Sequence, residues 1–111
     1  MRAVLIDPVA RSFTEVEYDG DYKSIYKHLE CDLFDVVFTE FGDVYVDDEG
    51  LLKPDQKFFY LEGMSQPLAG RGLVFGLVDD EGNTTPATVS IEELELNVKF
   101  LTPQKVMELF S

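Results

Sequence analysis

Leu68-Ala69-Gly70-Arg71-Gly72-Leu73-Val74-Phe75-Gly76 sets two glycines around a single cation directly before an apolar run. The run reads as a strand buried on both faces, and the glycines read as residues that let the backbone turn tightly into it. The expected strand covers Leu73 to Val78 and closes at Asp79-Asp80-Glu81-Gly82-Asn83. Thr84 to Val89 is expected as its antiparallel return, pushed to the sheet edge by Pro86.

Upstream, Phe58-Phe59-Tyr60-Leu61 reads as a short strand and Glu62 to Pro67 as a loop into the glycine segment. Val44-Tyr45-Val46 is a further strand, ending in Asp47-Asp48-Glu49-Gly50, and Lys53-Pro54-Asp55-Gln56-Lys57 is loop. Leu33 to Phe38 is interrupted only by Asp35, too apolar for a strand wet on one face, and is expected in the sheet interior. Tyr22, Ile25, Tyr26 and Leu29 fall at helical spacing after Asp19-Gly20-Asp21. That pattern predicts an amphipathic helix capped by Asp19 or Asp21, with Lys27 and His28 near its C-terminal end. At the start, Arg2 to Ile6 and Phe13 to Tyr18 make a first hairpin, with a bulge near Thr14 where the alternation slips.

Downstream, Ser90-Ile91-Glu92-Glu93 has the pattern of a capping box, while Leu94, Leu96, Val98 and Phe100 alternate as a strand would. A helical turn followed by a strand from about Leu96 reconciles the two patterns. Thr102 and Pro103 then open a terminal helix with Val106, Leu109 and Phe110 on one side. The chain is therefore expected to be a single α+β domain over residues 1–111. Its sheet is mostly antiparallel, with one amphipathic helix packed on it and a short C-terminal helix.

The length of 111 residues suits one core, and nine Phe and five Tyr argue against disorder despite a net charge of -13. No apolar run approaches the roughly 18 residues of a membrane span, and the apolar start meets Asp7-Pro8 too soon for a signal peptide. With one cysteine, Cys31, no internal disulfide can form; a cytoplasmic location is expected. Between His28 and Leu52 lie eight acids and no Lys or Arg. Direct nucleic-acid binding needs clustered bases, so the charge favours a basic protein partner instead.

Gly70, Gly72 and Gly76 do not make a phosphate loop. The dinucleotide pattern requires a following helix and a third glycine where Phe75 stands, and no Gly-Lys-Ser/Thr occurs. Gly70, Arg71 and Gly72 remain a candidate anion contact, beside the structural reading of the same glycines. Asp47, Asp48 and Glu49, echoed at Asp79, Asp80 and Glu81, lack the oxygen spacing of a calcium loop and read first as solvated turns. Together with Tyr45 they are the candidate partner surface. His28, Cys31 and Asp32 at i, i+3 and i+4 do not complete a zinc site. No catalytic grouping and no cofactor motif is recognisable, so a non-enzymatic role is expected.

Four stretches carry a resemblance across most of the chain. They are Met1 to Pro8, Tyr18 to Tyr22, Asp43 to Leu52, and Pro67 to Val74. On these the chain resembles the family catalogued as domain of unknown function 3846. The resemblance implies a small accessory protein of bacteriophage or mobile-element provenance, and it supplies no catalytic residues. The expected function is binding of a host or phage protein through an acidic, tyrosine-bearing surface, one version being an anti-defence DNA mimic. The alternative is a nucleotide-like anion held at Arg71.

Overall fold

The alternation of the first residues is realised as a hairpin. Arg2–Asp7 (β1) pairs antiparallel with Ser12–Glu17 (β2) in unbroken register from Arg2 opposite Glu17 to Asp7 opposite Ser12. The expected bulge near Thr14 is therefore absent, because Phe13 and Val16 sit on opposite faces of a regular ladder. The computed structural model describes residues 1–53 and 56–110. Pro54 and Asp55, within the loop expected at 53–57, lie outside the described residues.

Tyr22–Leu29 (α1) follows, with Asp21 as its N-cap through a 3.0 Å bond from the Lys23 amide. It ends at Glu30, which takes a left-handed conformation. Phe34–Thr39 (β3) and Gly42–Asp47 (β4) form a second antiparallel hairpin. Gly42 has φ +131°, and a Cβ there would meet the Phe75 carbonyl oxygen at 1.9 Å, so only glycine fits this turn.

After a 3-10 turn over Gly50–Leu52 come Phe58–Leu61 (β5), the two-residue Leu68–Ala69 (β6) and Gly72–Val74 (β7). The first sheet has the order β2-β1-β7-β4-β3, so β7 is inserted between the two hairpins and pairs antiparallel with β1 and β4. Ile91–Asn97 (α2), Val98–Leu101 (β8) and Pro103–Phe110 (α3) complete the chain. A second sheet has the order β6-β5-β8.

Period-two alternation in the central strands sends side chains to two different cores. Ala3, Leu73 and Phe75 meet Ile25 and Leu29 of α1 and the buried Cys31. Val4, Ile6, Val44, Val46 and Val74 point the other way, onto Phe59 and Leu61 of β5, Leu94 of α2 and Val98. Beyond the second sheet, Phe58, Ala69 and Leu101 pack with Tyr60 and Val106, so α3 covers its outer side. Full burial of each large aliphatic or aromatic side chain contributes roughly 1.5–3 kcal/mol. Among the described residues, no helix is long and apolar enough to cross a membrane.

The antiparallel α+β architecture expected from the sequence holds, with local corrections. β7 spans only Gly72–Val74, and Thr84 to Val89 is not a strand. That stretch makes single backbone bonds, Gly76 N to Thr85 O and Ala87 N to Arg2 O, because Pro86 has no donor to continue a ladder. Leu68–Ala69, expected as the opening of the glycine segment, pairs with β5 as β6. β3 lies at the sheet edge rather than in its interior, and Phe38 is 75% exposed. The helix-then-strand order of residues 90–101 holds, but the helix runs through Asn97 and the strand starts at Val98 rather than near Leu96. Thr102 stands ahead of α3 as expected, its hydroxyl accepting from the Lys105 amide at 3.2 Å.

Candidate functional site

Gly70 and Arg71 form the corner at which the chain leaves the edge of the second sheet and becomes the central strand of the first within two residues. Such a reversal needs a left-handed residue, and Gly70 has φ +83°. Gly72 serves a different purpose. A Cβ there would come within 2.6 Å of the Phe59 ring and 3.2 Å of Val44, so the missing side chain makes room for Phe59. Gly72 is buried inside the sheet, whereas Gly70 and Arg71 line a cleft of about 500 Å³ with Asp7, Glu30, Asp47 and Lys53.

Both cations of that cleft are engaged. Arg71 donates to the His28 carbonyl at 3.2 Å and faces Glu30 Oε1 at 3.1 Å and Asp7 Oδ2 at 3.5 Å. It thus closes the C-terminal end of α1, where a cation is favoured, and ties that end to β1. Lys53 pairs with Asp47 and donates to the Glu30 carbonyl. Its hydrogen bond to Asp47 raises the Lys53 pKa, although partial burial opposes the shift. Three carboxylates thus stand around two bases.

The candidate acidic surface divides. Asp47 is buried, its side chain 3% exposed, and it accepts from both Lys53 and the Glu49 amide. Asp48 is exposed and Glu49 half-buried beside it. Asp79, Asp80 and Glu81 are exposed on a hairpin-like extension that runs beyond the far end of β7, closed by Gly76 N to Thr85 O and Asp79 N to Asn83 O. Asp79 is held in this turn by amides of Glu81 and Asn83, which lower its pKa, the Asn83 bond most. Because β4 runs antiparallel to β7, Asp47 lies beyond the opposite end, so the echoed turns are not brought together.

Tyr45 belongs to a row of six rings that the sequence did not reveal as a unit. Tyr22, Tyr26, Phe34, Tyr45, Phe75 and Tyr18 follow one another with centroids 5.1–6.1 Å apart. It begins at the surface with Tyr22, 57% exposed, and descends to the buried Phe75. Asp19 and Asp21 border Tyr18, whose pKa is raised first by burial, then by Tyr45 and those two acids. Asp19 accepts from the Asp21 amide and the Ser24 hydroxyl, and these bonds lower its own pKa. The helical spacing of Tyr22 and Tyr26 was legible; their continuation into β3 and β4 depends on strand order.

His28, Cys31 and Asp32 do not share a helical face, because α1 ends at Leu29 and the chain turns at Glu30. Cys31 is buried under α1, and burial, with a smaller contribution from Asp47, pushes its thiol up to about 11. Among the described residues, no group of three or more His, Cys, Asp or Glu could hold a metal ion.

Together these elements define an antiparallel α+β domain of two packed sheets, with an aromatic row beside Asp19 and Asp21. The chain belongs to the family described as Domain of unknown function (DUF3846), whose model matches residues 1–99. No curated protein and no solved structure matches it.

Proposed function

We propose that this chain is a non-enzymatic binding protein that engages a basic protein partner through its acidic, tyrosine-bearing surface, as an accessory protein of phage or mobile-element type in the host cytoplasm. The observation that carries the reading is the ring row from Tyr18 to Tyr22, bordered by Asp19 and Asp21 and opening to solvent at Tyr22. Half-exposed aromatic anchors with charges at their rim are what a protein interface uses, and a net charge of -13 favours a cationic partner.

Two alternatives lose ground to the geometry. A nucleotide-like anion at Gly70, Arg71 and Gly72 would have to displace Asp7 and Glu30 from Arg71, and Gly72 is filled over by Phe59. A DNA mimic needs carboxylates in one array, yet the two acidic turns stand at opposite ends of β7 and Asp47 is paired inside. The test is affinity capture of a partner from host lysate, followed by binding measurements on the purified pair. Association should weaken steeply with salt and fall about tenfold or more with Tyr22→Ala at unchanged melting temperature. Binding indifferent to both salt and Tyr22 overturns the reading.

A further inference from the structure

β3 presents an inconsistency between its sequence and its position. Phe34-Asp35-Val36-Val37-Phe38-Thr39 has the β-branched and aromatic composition of an interior strand, yet among the described residues it pairs only with β4. Proteins usually blunt such an edge with lysine, proline or a bulge. The opposite edge strand, β2, is blunted: Ser12-Phe13-Thr14-Glu15-Val16-Glu17 alternates apolar with polar residues, and Glu15 is further tied to Arg2. β3 has one charge, Asp35, whose carboxylate accepts from the outward-facing Val36 amide at 2.8 Å and would have to release it to an incoming strand, and its free edge is bordered by a groove.

That groove consists of two hollows of about 620 and 220 Å³ that share Val37, Gln66 and Leu68. In the larger, the consecutive residues Val37, Phe38, Thr39 and Glu40 all line the wall. Neighbouring residues of a strand point to opposite faces, so the backbone edge itself borders the space. The opposite wall is the 62–68 segment, with Met64 and Leu68 as its apolar part. Asp35, Glu40, Asp48 and Glu62 stand along the two hollows, and among the described residues no Lys or Arg lines either.

We propose that the free edge of β3 accepts an extended, lysine- or arginine-bearing segment of a partner protein as a sixth strand of the first sheet. The proposal rests on the partner-binding reading and names the partner's recognition element. Side chains of the segment on the Val37 face lie apolar against Val37, Met64 and Leu68, while bases toward its ends reach Glu40, Glu62 and Asp48. A strand of six residues spans about 20 Å, so the segment is about six residues long. A second copy of the chain is a poor occupant, because it would bring Asp35 and its neighbours against the same acids in a molecule of net charge -13.

The test uses the full chain and an octapeptide of alternating lysine and valine, fluorescently labelled, with fluorescence anisotropy and amide chemical shifts as readouts. Saturable binding is expected, with the largest shift changes at Phe34 to Thr39. It should weaken about tenfold or more with the exposed double variant Glu40→Lys/Glu62→Lys. The same loss is expected when alternate peptide amides of the ligand are N-methylated, which removes strand pairing without touching the protein. Equal binding of the N-methylated peptide, shifts confined to Tyr22 and Tyr26, or a peptide that fails to bind while a captured partner still associates in a salt-sensitive way each overturns the groove and leaves the partner-binding reading standing. Absence of both peptide binding and a salt-sensitive partner overturns both.

Discussion

Gly72→Ala separates a packing glycine from a ligand-contacting one. The substitution leaves the backbone unstrained, since Gly72 does not have positive φ, so its effect is that of one methyl group. That methyl would stand 2.6 Å from Cζ and 3.1 Å from Cε1 of Phe59, about an ångström inside ordinary contact. Phe59 is wholly buried among Val4, Ile6, Val44 and Leu61, so its ring has no free space to enter. Overpacking of this kind costs about 1–3 kcal/mol, and alanine recovers about 0.4–1 kcal/mol by restricting the unfolded chain. A net loss of about 1–2 kcal/mol follows. With an unfolding entropy of roughly 2.1 cal/mol/K per residue over 111 residues, each kcal/mol moves Tm by about 4 °C, so a fall of about 4–8 °C is expected by calorimetry. In a Phe59→Leu background, where the outer ring atoms are gone, the Gly72→Ala penalty should drop below about 0.5 kcal/mol. An unchanged or raised Tm for the single variant, or equal penalties in both backgrounds, would refute the packing argument.

Arg71→Ala should lower stability by about 1–2 kcal/mol in urea titration, because the end of α1 loses a charged cap and Asp7 and Glu30 lose their shared base. Arg71→Lys should recover only part, as one ammonium cannot reach all three partners. The Cys31 thiol, pushed up to about 11, should react with a disulfide reagent at pH 8 about a hundredfold more slowly in the native protein than in urea. Equal rates would show that the thiol is not shielded. Folded pKa values raised above the unfolded ones mean stability that is full below the ordinary thiol value and lost as pH rises. Stability should therefore fall between about pH 9 and about 11, and Cys31→Ala should flatten that limb. The raised Lys53 extends the loss above the ordinary lysine range near 10.4. Ser90→Ala removes the 3.0 Å bond from the Glu93 amide and should cost about 1 kcal/mol, readable as a Tm drop of about 4 °C.

Local chemistry made much of this fold legible. Asp21 ahead of helically spaced Tyr22, Ile25 and Leu29, the capping box at Ser90, and Thr102-Pro103 each act within one turn of chain, so their outcome needs no knowledge of distant partners. What failed was long-range. Leu33 to Phe38 was apolar enough for an interior strand, but strand order is decided by which strand of each hairpin β7 joins, and its pairing with β4 left β3 outside. The expected strand from Leu73 to Val78 was cut short because Gly76 turns its amide to Thr85 rather than to a sheet neighbour. At the site, Arg71 stands out in the sequence as the only cation of the glycine segment, but its engagement by Asp7, His28 and Glu30 brings together residues more than forty positions apart. Asp47 and Asp79 occupy identical acidic motifs, yet the first is buried against Lys53 while the second is exposed and held by the Glu81 and Asn83 amides, a difference that depends on where each turn falls in the fold.

The placement of β7 has a kinetic consequence. β1 with β2 and β3 with β4 are local hairpins that can form as soon as they leave the ribosome, yet the structure joins them only through three residues that arrive some thirty positions later. Until Gly72–Val74 has been synthesised, both hairpins expose their inner edges, and closing the sheet requires loops of about thirty and seventy residues to be ordered at once. Insertion of this central strand is then expected to limit the rate of folding. Leu73→Ala should slow refolding nearly in proportion to the stability it removes, whereas Phe100→Ala, at the rim of the second sheet, should act mainly by speeding unfolding.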